Sequence, residues 1–279
     1  MNKPILQSEM AMLKHGSLCF LLSSLLMSAD AKCASGSKSD PSKEKSADLV
    51  SSLAFEQVRQ KAESGELAAQ SELGALYHAG VGTPQDYGKA VKWYRLASDR
   101  GDARAQCNLA VLYKMGVGGL ERDMSQANRL FEASAKQGHM QAQYNLGIAF
   151  IRGEGVPIDF TKALLWLRKS ADQGYAPAQC DLGICYENGE GVNSDFREAA
   201  RLVRMSAEQG WAMGQYQLAF YYYHGAGVPK DMKKAEEWNR KAMEQKYPEA
   251  FGLAQAIQYE LSKSQALPSN VTPKKRVPN

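Results

Sequence analysis

Between residues 48 and 262 apolar and polar positions recur on a long, regular period. A Gln is followed three residues later by Leu and then by Gly or Ala. This happens at Gln70-Leu73-Gly74, Gln106-Leu109-Ala110, Gln143-Leu146-Gly147, Gln179-Leu182-Gly183 and Gln215-Leu218-Ala219, at spacings of 36, 37, 36 and 36. An aromatic stands four residues after each Leu (Tyr77, Tyr113, Phe150, Tyr186, Tyr222), so Leu, small residue and aromatic form one apolar stripe on a helix. A Gly then follows in register (Gly80, Gly116, Gly153, Gly189, Gly225), suited to ending that helix in the left-handed conformation. Next come an Asp (Asp86, Asp123, Asp159, Asp195, Asp231), placed to cap a second helix, and an Ala (Ala90, Ala127, Ala163, Ala199, Ala235) on its inner face.

A period of this length is the mark of a solenoid: two helices with one stripe each bury too little alone, and stacked neighbours build a continuous core. The small residue after each Leu predicts a close approach by the partner helix. Trp93, Trp166 and Trp238 fall on the inward stripe of the second helices and are expected in the core. Residues 48–64 match only the second half of a unit, and Pro248 opens a last helix to about Leu261. The expected fold is all-α: a half-repeat, five full two-helix units and a capping helix, about twelve helices.

Leu-Gly-x-x-Tyr, Gly-x-Gly-Val, Asp and Lys-Ala-x-x-Trp-Tyr, as in Tyr186–Val192 and Asp86–Tyr94, resemble the Sel-1-like repeat, a relative of the tetratricopeptide repeat. The resemblance covers 48–262; Leu130 and Leu202 stand where it has Trp. It implies a right-handed superhelical solenoid whose first helices line a concave face, and a scaffold or adaptor that binds a protein or peptide there. Residues two before, two after and five after the stripe Leu would face that groove. The last three units give Tyr144, Ile148 and Ile151; Cys180, Ile184 and Glu187; Tyr216, Phe220 and Tyr223. The partner-binding residues are therefore expected to be Tyr144, Ile148, Ile151, Ile184, Glu187, Tyr216, Phe220 and Tyr223, an apolar and aromatic strip of the kind that marks interaction sites. For Tyr216, Phe220 and Tyr223, packing under the terminal helix is the competing reading. His139, Tyr175, Trp211 and Tyr247 recur at the corner after each second helix, where packing between units is expected.

Outside the repeats the sequence changes character. Lys14 and His15 precede an apolar run from Leu18 to Met27, and Ala29-Asp30-Ala31 follows, which reads as a secretory signal peptide over residues 1–31, with an uncleaved anchor as the alternative. The run is too short for a span that outlives cleavage, so the mature chain is expected in the periplasm or medium. Residues 32–47 are polar and read as a flexible tether, and 263–279 as a disordered tail with Pro268, Pro273 and Pro278.

Composition adds mainly exclusions. Lys plus Arg is 34 against 30 Asp plus Glu, a net charge of +4, and the one compact basic run is Lys274-Lys275-Arg276, so no nucleic-acid partner is expected. Neither catalytic nor metal-binding motifs are present, and no cofactor is expected. Some exported relatives of this repeat carry paired cysteines in every unit and bind or cleave β-lactams; a hydrolase or β-lactam binder of that kind is the rival function. The cysteines here, Cys19, Cys33, Cys107, Cys180 and Cys185, do not follow that pairing. Cys180 and Cys185 point about 140° apart on one helix, so no bridge joins them. His78 and His224 precede helix-ending glycines, where a positive charge would suit the dipole.

Overall fold

The computed structural model describes residues 41–266, and all the regular structure among them is helical. The helices are α1 (Pro41–Glu63), α2 (Leu67–Ala79), α3 (Tyr87–Asp99), α4 (Ala103–Met115), α5 (Met124–Lys136), α6 (Met140–Arg152), α7 (Phe160–Asp172), α8 (Ala176–Asn188), α9 (Phe196–Glu208), α10 (Ala212–His224), α11 (Met232–Glu244) and α12 (Pro248–Ala266). Even-numbered helices from α2 to α10 are the first helices of the five units, and α3 to α11 the second. α1 begins at Pro41, not at 48, and a proline costs nothing in a first helical turn, where its N–H would have no partner. α12 runs on to Ala266. The signal segment, most of the tether and the rest of the tail lie outside the described residues.

The helix ends are built as the spacing predicts. Asp86, Asp123, Asp159, Asp195 and Asp231 each accept a backbone N–H from the first turn of the following helix, at 2.9–3.0 Å for the shortest bond in each. These N–H donors hold Asp86, Asp159 and Asp231 below the usual carboxylate range. Gly80, Gly116, Gly153, Gly189 and Gly225 close the first helices at φ between 67° and 75°, and each N–H returns to the carbonyl four residues back.

The chain packs as two bodies that divide inside α5, between Leu130 and Phe131. In the first, Leu73, Leu76, Tyr77, Tyr94, Leu109 and Leu112 form the core with Phe55 of α1. In the second, Ile148, Leu164, Leu167, Leu182 and Leu202 make one cluster, and Val203, Leu218, Tyr221, Leu253 and Ile257 another. The small residue after each Leu does what its position predicts. A Cβ on Gly74 would lie 2.6 Å from the Tyr94 ring, and one on Gly183 2.7 Å from Val203 and 3.0 Å from the Ala199 carbonyl.

The periodic Gln has a purpose its spacing alone does not reveal. All five are buried. Each side-chain amide donates to a carbonyl at the end of the preceding second helix: Gln70 to Ala62, Gln106 to Ser98, Gln143 to Ala135, Gln179 to Ala171 and Gln215 to Ala207, at 3.2–3.5 Å. Those carbonyls lie in the last helical turn, where the helix itself supplies no donor. The Oε1 atoms of Gln70, Gln143, Gln179 and Gln215 accept from Arg100, Gln173, Gln209 and Gln245, thirty residues on, at 2.7–3.0 Å. A second spacing, 18 residues, links Arg95 to Tyr113, Arg168 to Tyr186 and Arg204 to Tyr222 by guanidinium–phenol hydrogen bonds. In the unit where Glu132 replaces the Arg, Phe150 replaces the Tyr.

One expectation about the core needs correcting. Trp93, Trp166 and Trp238 are half-buried at the edge of the stack, while their neighbours Tyr94, Leu167 and Asn239 take the fully buried place. The register of the inner stripe is set by Ala90, Tyr94 and Ala97 and their equivalents, and the indoles lean over its rim. There Lys169 and Lys241 lie 4.6 and 4.0 Å from the Trp166 and Trp238 rings.

Candidate functional site

Within the second body the first helices α6, α8 and α10 stand side by side, followed by α12. α8 packs on α10 and α10 on α12. Tyr144 of α6 donates its hydroxyl to Asp181 Oδ2 of α8 at 2.9 Å, which joins the first pair. The face made by these helices carries all eight predicted partner-binding residues, since Leu146, Leu182 and Leu218 turn the opposite stripe to the second helices.

The structure divides those eight into three groups. Ile151, Ile184, Phe220 and Tyr223 are half-buried, with part of each side chain open to solvent. Tyr144 and Tyr216 are also half-buried, each against a corner aromatic. The Tyr144 ring meets Tyr175 edge-on at 5.4 Å, and the Tyr216 ring meets Tyr247 at 5.3 Å. The corner aromatics Tyr175 and Tyr247 thus pack back on the first helix of the unit they close; Trp211 is half-buried at the same corner. Ile148 departs from expectation: it is 8% exposed and belongs to the core around Leu164 and Leu182. Glu187 is held down by its neighbour: its Oε2 accepts from Gln217 Nε2 at 2.8 Å and from the Tyr221 hydroxyl at 2.7 Å. Tyr216, Phe220 and Tyr223 are partly buried against the core that holds Leu253 and Ile257 of α12, so the competing reading, packing under the terminal helix, applies to them in part. α12 itself opens Phe251 (49%) and Tyr259 (60%) on the side away from Leu253 and Ile257.

Asp181 and Glu187 put two carboxylates on this face, while Arg152 acts on Asp181 and Lys230 lies 5.8 Å over the Tyr223 ring. Asp181 is half-buried, and burial raises its pKa against the opposing effects of the Tyr144 hydrogen bond and Arg152. Burial, reinforced by Asp181, pushes the Tyr144 phenol up, and burial with the Glu187 bond does the same for Tyr221. Cys180 and Cys185 are buried free thiols. Burial lifts both, Cys185 to about 12, so neither is a thiolate at neutral pH. His78, expected to be a dipole-facing cation, is half-buried against Tyr87 at 5.4 Å, and desolvation lowers its pKa; it packs as a neutral ring. His224 is exposed, its ring tilted at 4.3 Å from Phe220 and edge-on at 4.8 Å from Tyr223, extending the aromatic patch.

Asp181 is the residue that the triplet rule misses. It sits one before the stripe Leu, a position occupied by Glu72, Asn108, Asn145, Asp181 and Gln217, polar in every unit. That uniform polarity between apolar neighbours is a sequence signal for a partly solvated row.

The family model for the Sel1 repeat matches residues 67–102, 103–139, 141–175, 176–211 and 212–247, nearly continuous over the five units. The chain belongs to the Sel1 repeat family. Among solved structures it resembles a Sel1 repeat protein of Oxalobacter formigenes, with TM-score 0.68 and 27% identity over 80% of this chain and 92% of that one. It also resembles c5321, a protective antigen of uropathogenic Escherichia coli with the same fold, at TM-score 0.67 and 35% identity over 76% of this chain and 45% of that one. Among curated proteins, the secretory immunoglobulin A-binding protein EsiB of E. coli is 51% identical over 43 residues, 15% of this chain and 9% of EsiB. The DAP3-binding cell death enhancer 1 of Rattus norvegicus is 31% identical over 116 residues, 41% of this chain and 20% of that protein. The matches thus span a fifth or less of these curated relatives. This Sel1 repeat protein is an all-α solenoid of helical repeats, an architecture typical of protein-interaction scaffolds. Among its described residues no helix is long and apolar enough to cross a membrane.

Proposed function

We propose that this Sel1 repeat protein is an exported scaffold that binds a protein or peptide partner along the first-helix face of its second body. The observation that carries the reading is the row of partly open apolar and aromatic side chains Ile151, Ile184, Phe220 and Tyr223, laid over a floor of Ile148, Tyr144 and Tyr216. Aromatic side chains that are rigid yet incompletely covered gain the most when a partner excludes water from them. Two relatives are named for the proteins they bind, which agrees with a binding role. Export rests on the signal-like segment 1–31, and one relative's description as a protective antigen points the same way.

A pulldown with the mature chain, beside an Ile184→Ser, Phe220→Ser, Tyr223→Ser variant with unchanged circular dichroism, tests the site. Loss of a captured protein from the folded variant is the expected result, and equal capture by both moves the site off this face. Export is tested by the intact mass of protein recovered outside the cytoplasm. A chain beginning at Lys32 supports cleavage after Ala31, and a full-length mass in a membrane fraction assigns the segment to an anchor.

A further inference from the structure

Resting on that reading, the chemistry of the face narrows the partner. Asp181 receives one hydrogen bond, from Tyr144, although a carboxylate offers about four acceptor sites. Arg152 acts on Asp181 through space but makes its ion pair with Glu154, at 3.7 Å. Among the described residues no salt bridge reaches Asp181. Glu187, six residues along the same helix, is met only by neutral donors. Glu249 and Asp181 both act on the Tyr247 phenol, so the Tyr216–Tyr247 corner is acidic as well. Carboxylates are normally buried with a cation or a full set of hydrogen bonds, because desolvation disfavours the charge. Among the described residues Asp181 is half-buried with a single protein hydrogen bond and no ion pair. The half-buried rings of Tyr144 and Tyr216, packed beside Tyr175 and Tyr247, leave aromatic surface of the kind that attracts cations.

We propose that the partner is a basic, otherwise apolar peptide segment that seats an Arg or Lys side chain on Asp181 while its apolar side chains lie along Ile184 and Phe220. Charge complementarity selects this occupant: an acidic or phosphorylated segment would meet Asp181, Glu187 and Glu249 as like charges. An arginine is the better fit, since its planar donors can use both carboxylate oxygens and stack on a tyrosine. Asp181 therefore sets specificity, and the apolar strip supplies contact area.

The experiment is selection of a phage-displayed random dodecapeptide library on the immobilised full chain, on Asp181→Asn, and on an Ile184→Ser, Phe220→Ser variant, each checked for an intact thermal transition. The full chain is expected to enrich apolar peptides with a basic residue at a fixed place, and Asp181→Asn to lose that preference. A synthetic peptide from the enriched set should bind Asp181→Asn at least about tenfold more weakly in fluorescence anisotropy, and lose as much when its Arg is replaced by citrulline. Peptides that need Ile184 and Phe220 but carry no fixed cation would sink this inference and leave the binding face standing. Peptides indifferent to all three positions would sink both. Binding seen only after removal of residues 267–279 would make this chain's own Lys274-Lys275-Arg276 the occupant, and would also overturn the proposal.

Discussion

Asp181 shows how a single side chain can work against the fold that holds it. Burial raises its pKa, so the folded state prefers the protonated acid and the unfolded state binds fewer protons in the pH range between the two pKa values. The cost of holding the charge is absent below the usual carboxylate range, appears as pH rises through the raised pKa, and is complete above it. An amide keeps an acceptor for the Tyr144 hydroxyl and removes the charge. Asp181→Asn is therefore expected to raise the thermal midpoint at pH 7 by about 2–4 °C, the shift that about 1 kcal/mol produces in a body of this size. Scans between pH 3 and 7 should show the gap closing in acid; a variant less stable than the parent at pH 7 would show that the carboxylate stabilises the fold. The capping Asp86, Asp159 and Asp231 behave oppositely, contributing at neutral pH and losing that contribution as they protonate below the usual range.

At the scale of helices, the joints that repeat are easier to read than the surfaces they create. Gly65, Gly101, Gly138, Gly174 and Gly210 follow α1, α3, α5, α7 and α9 at positive φ, but after α11 the place falls to Lys246, at φ 59°. A side chain in that conformation costs about 1–2 kcal/mol, and glycine there gives back part of it through its freer unfolded state. Lys246→Gly is expected to stabilise the chain by about 1 kcal/mol, read as a shift in the urea midpoint with unchanged slope. A neutral or destabilising result would mean that the α11–α12 joint relaxes to suit lysine. The caps, the stripe and the close approach at Gly74, Gly147 and Gly183 were legible in the sequence because each depends on neighbours within one unit. What was not legible depends on the next unit. Ile148 is covered because it joins the core around Leu164 and Leu182, and the periodic Gln is buried because it reaches back eight residues and receives a donor thirty residues on. The indoles of Trp93, Trp166 and Trp238 lie at the rim because the helix–helix crossing places the next residue inward. Periodicity marks which positions are equivalent; the distance between stacked units decides which of them are closed.

Within each body, helices pack with sequence neighbours and, more lightly, with the next helix but one, the pattern of a quasi-one-dimensional fold. In such a fold a local defect weakens its own unit and the interfaces on either side before it reaches more distant repeats. Gly183 is a suitable place for a defect, because a methyl group there would lie 2.7 Å from Val203 and 3.0 Å from the Ala199 carbonyl, inside the packed seam of α8 and α9. Better helix propensity favours alanine by up to about 1 kcal/mol, yet forcing a carbon into a filled seam costs about 1–3 kcal/mol, so the variant should be destabilised on balance. Gly183→Ala is accordingly expected to speed amide hydrogen exchange in α8 and α9, and more weakly in α7 and α10, while α2 and α3 keep their parental rates. Equal acceleration in all of these helices would mean that both bodies unfold as one cooperative unit. That outcome would also bear on binding: a partner gripping α6 to α10 would then stabilise the whole chain, whereas local coupling confines its protection to the helices it touches.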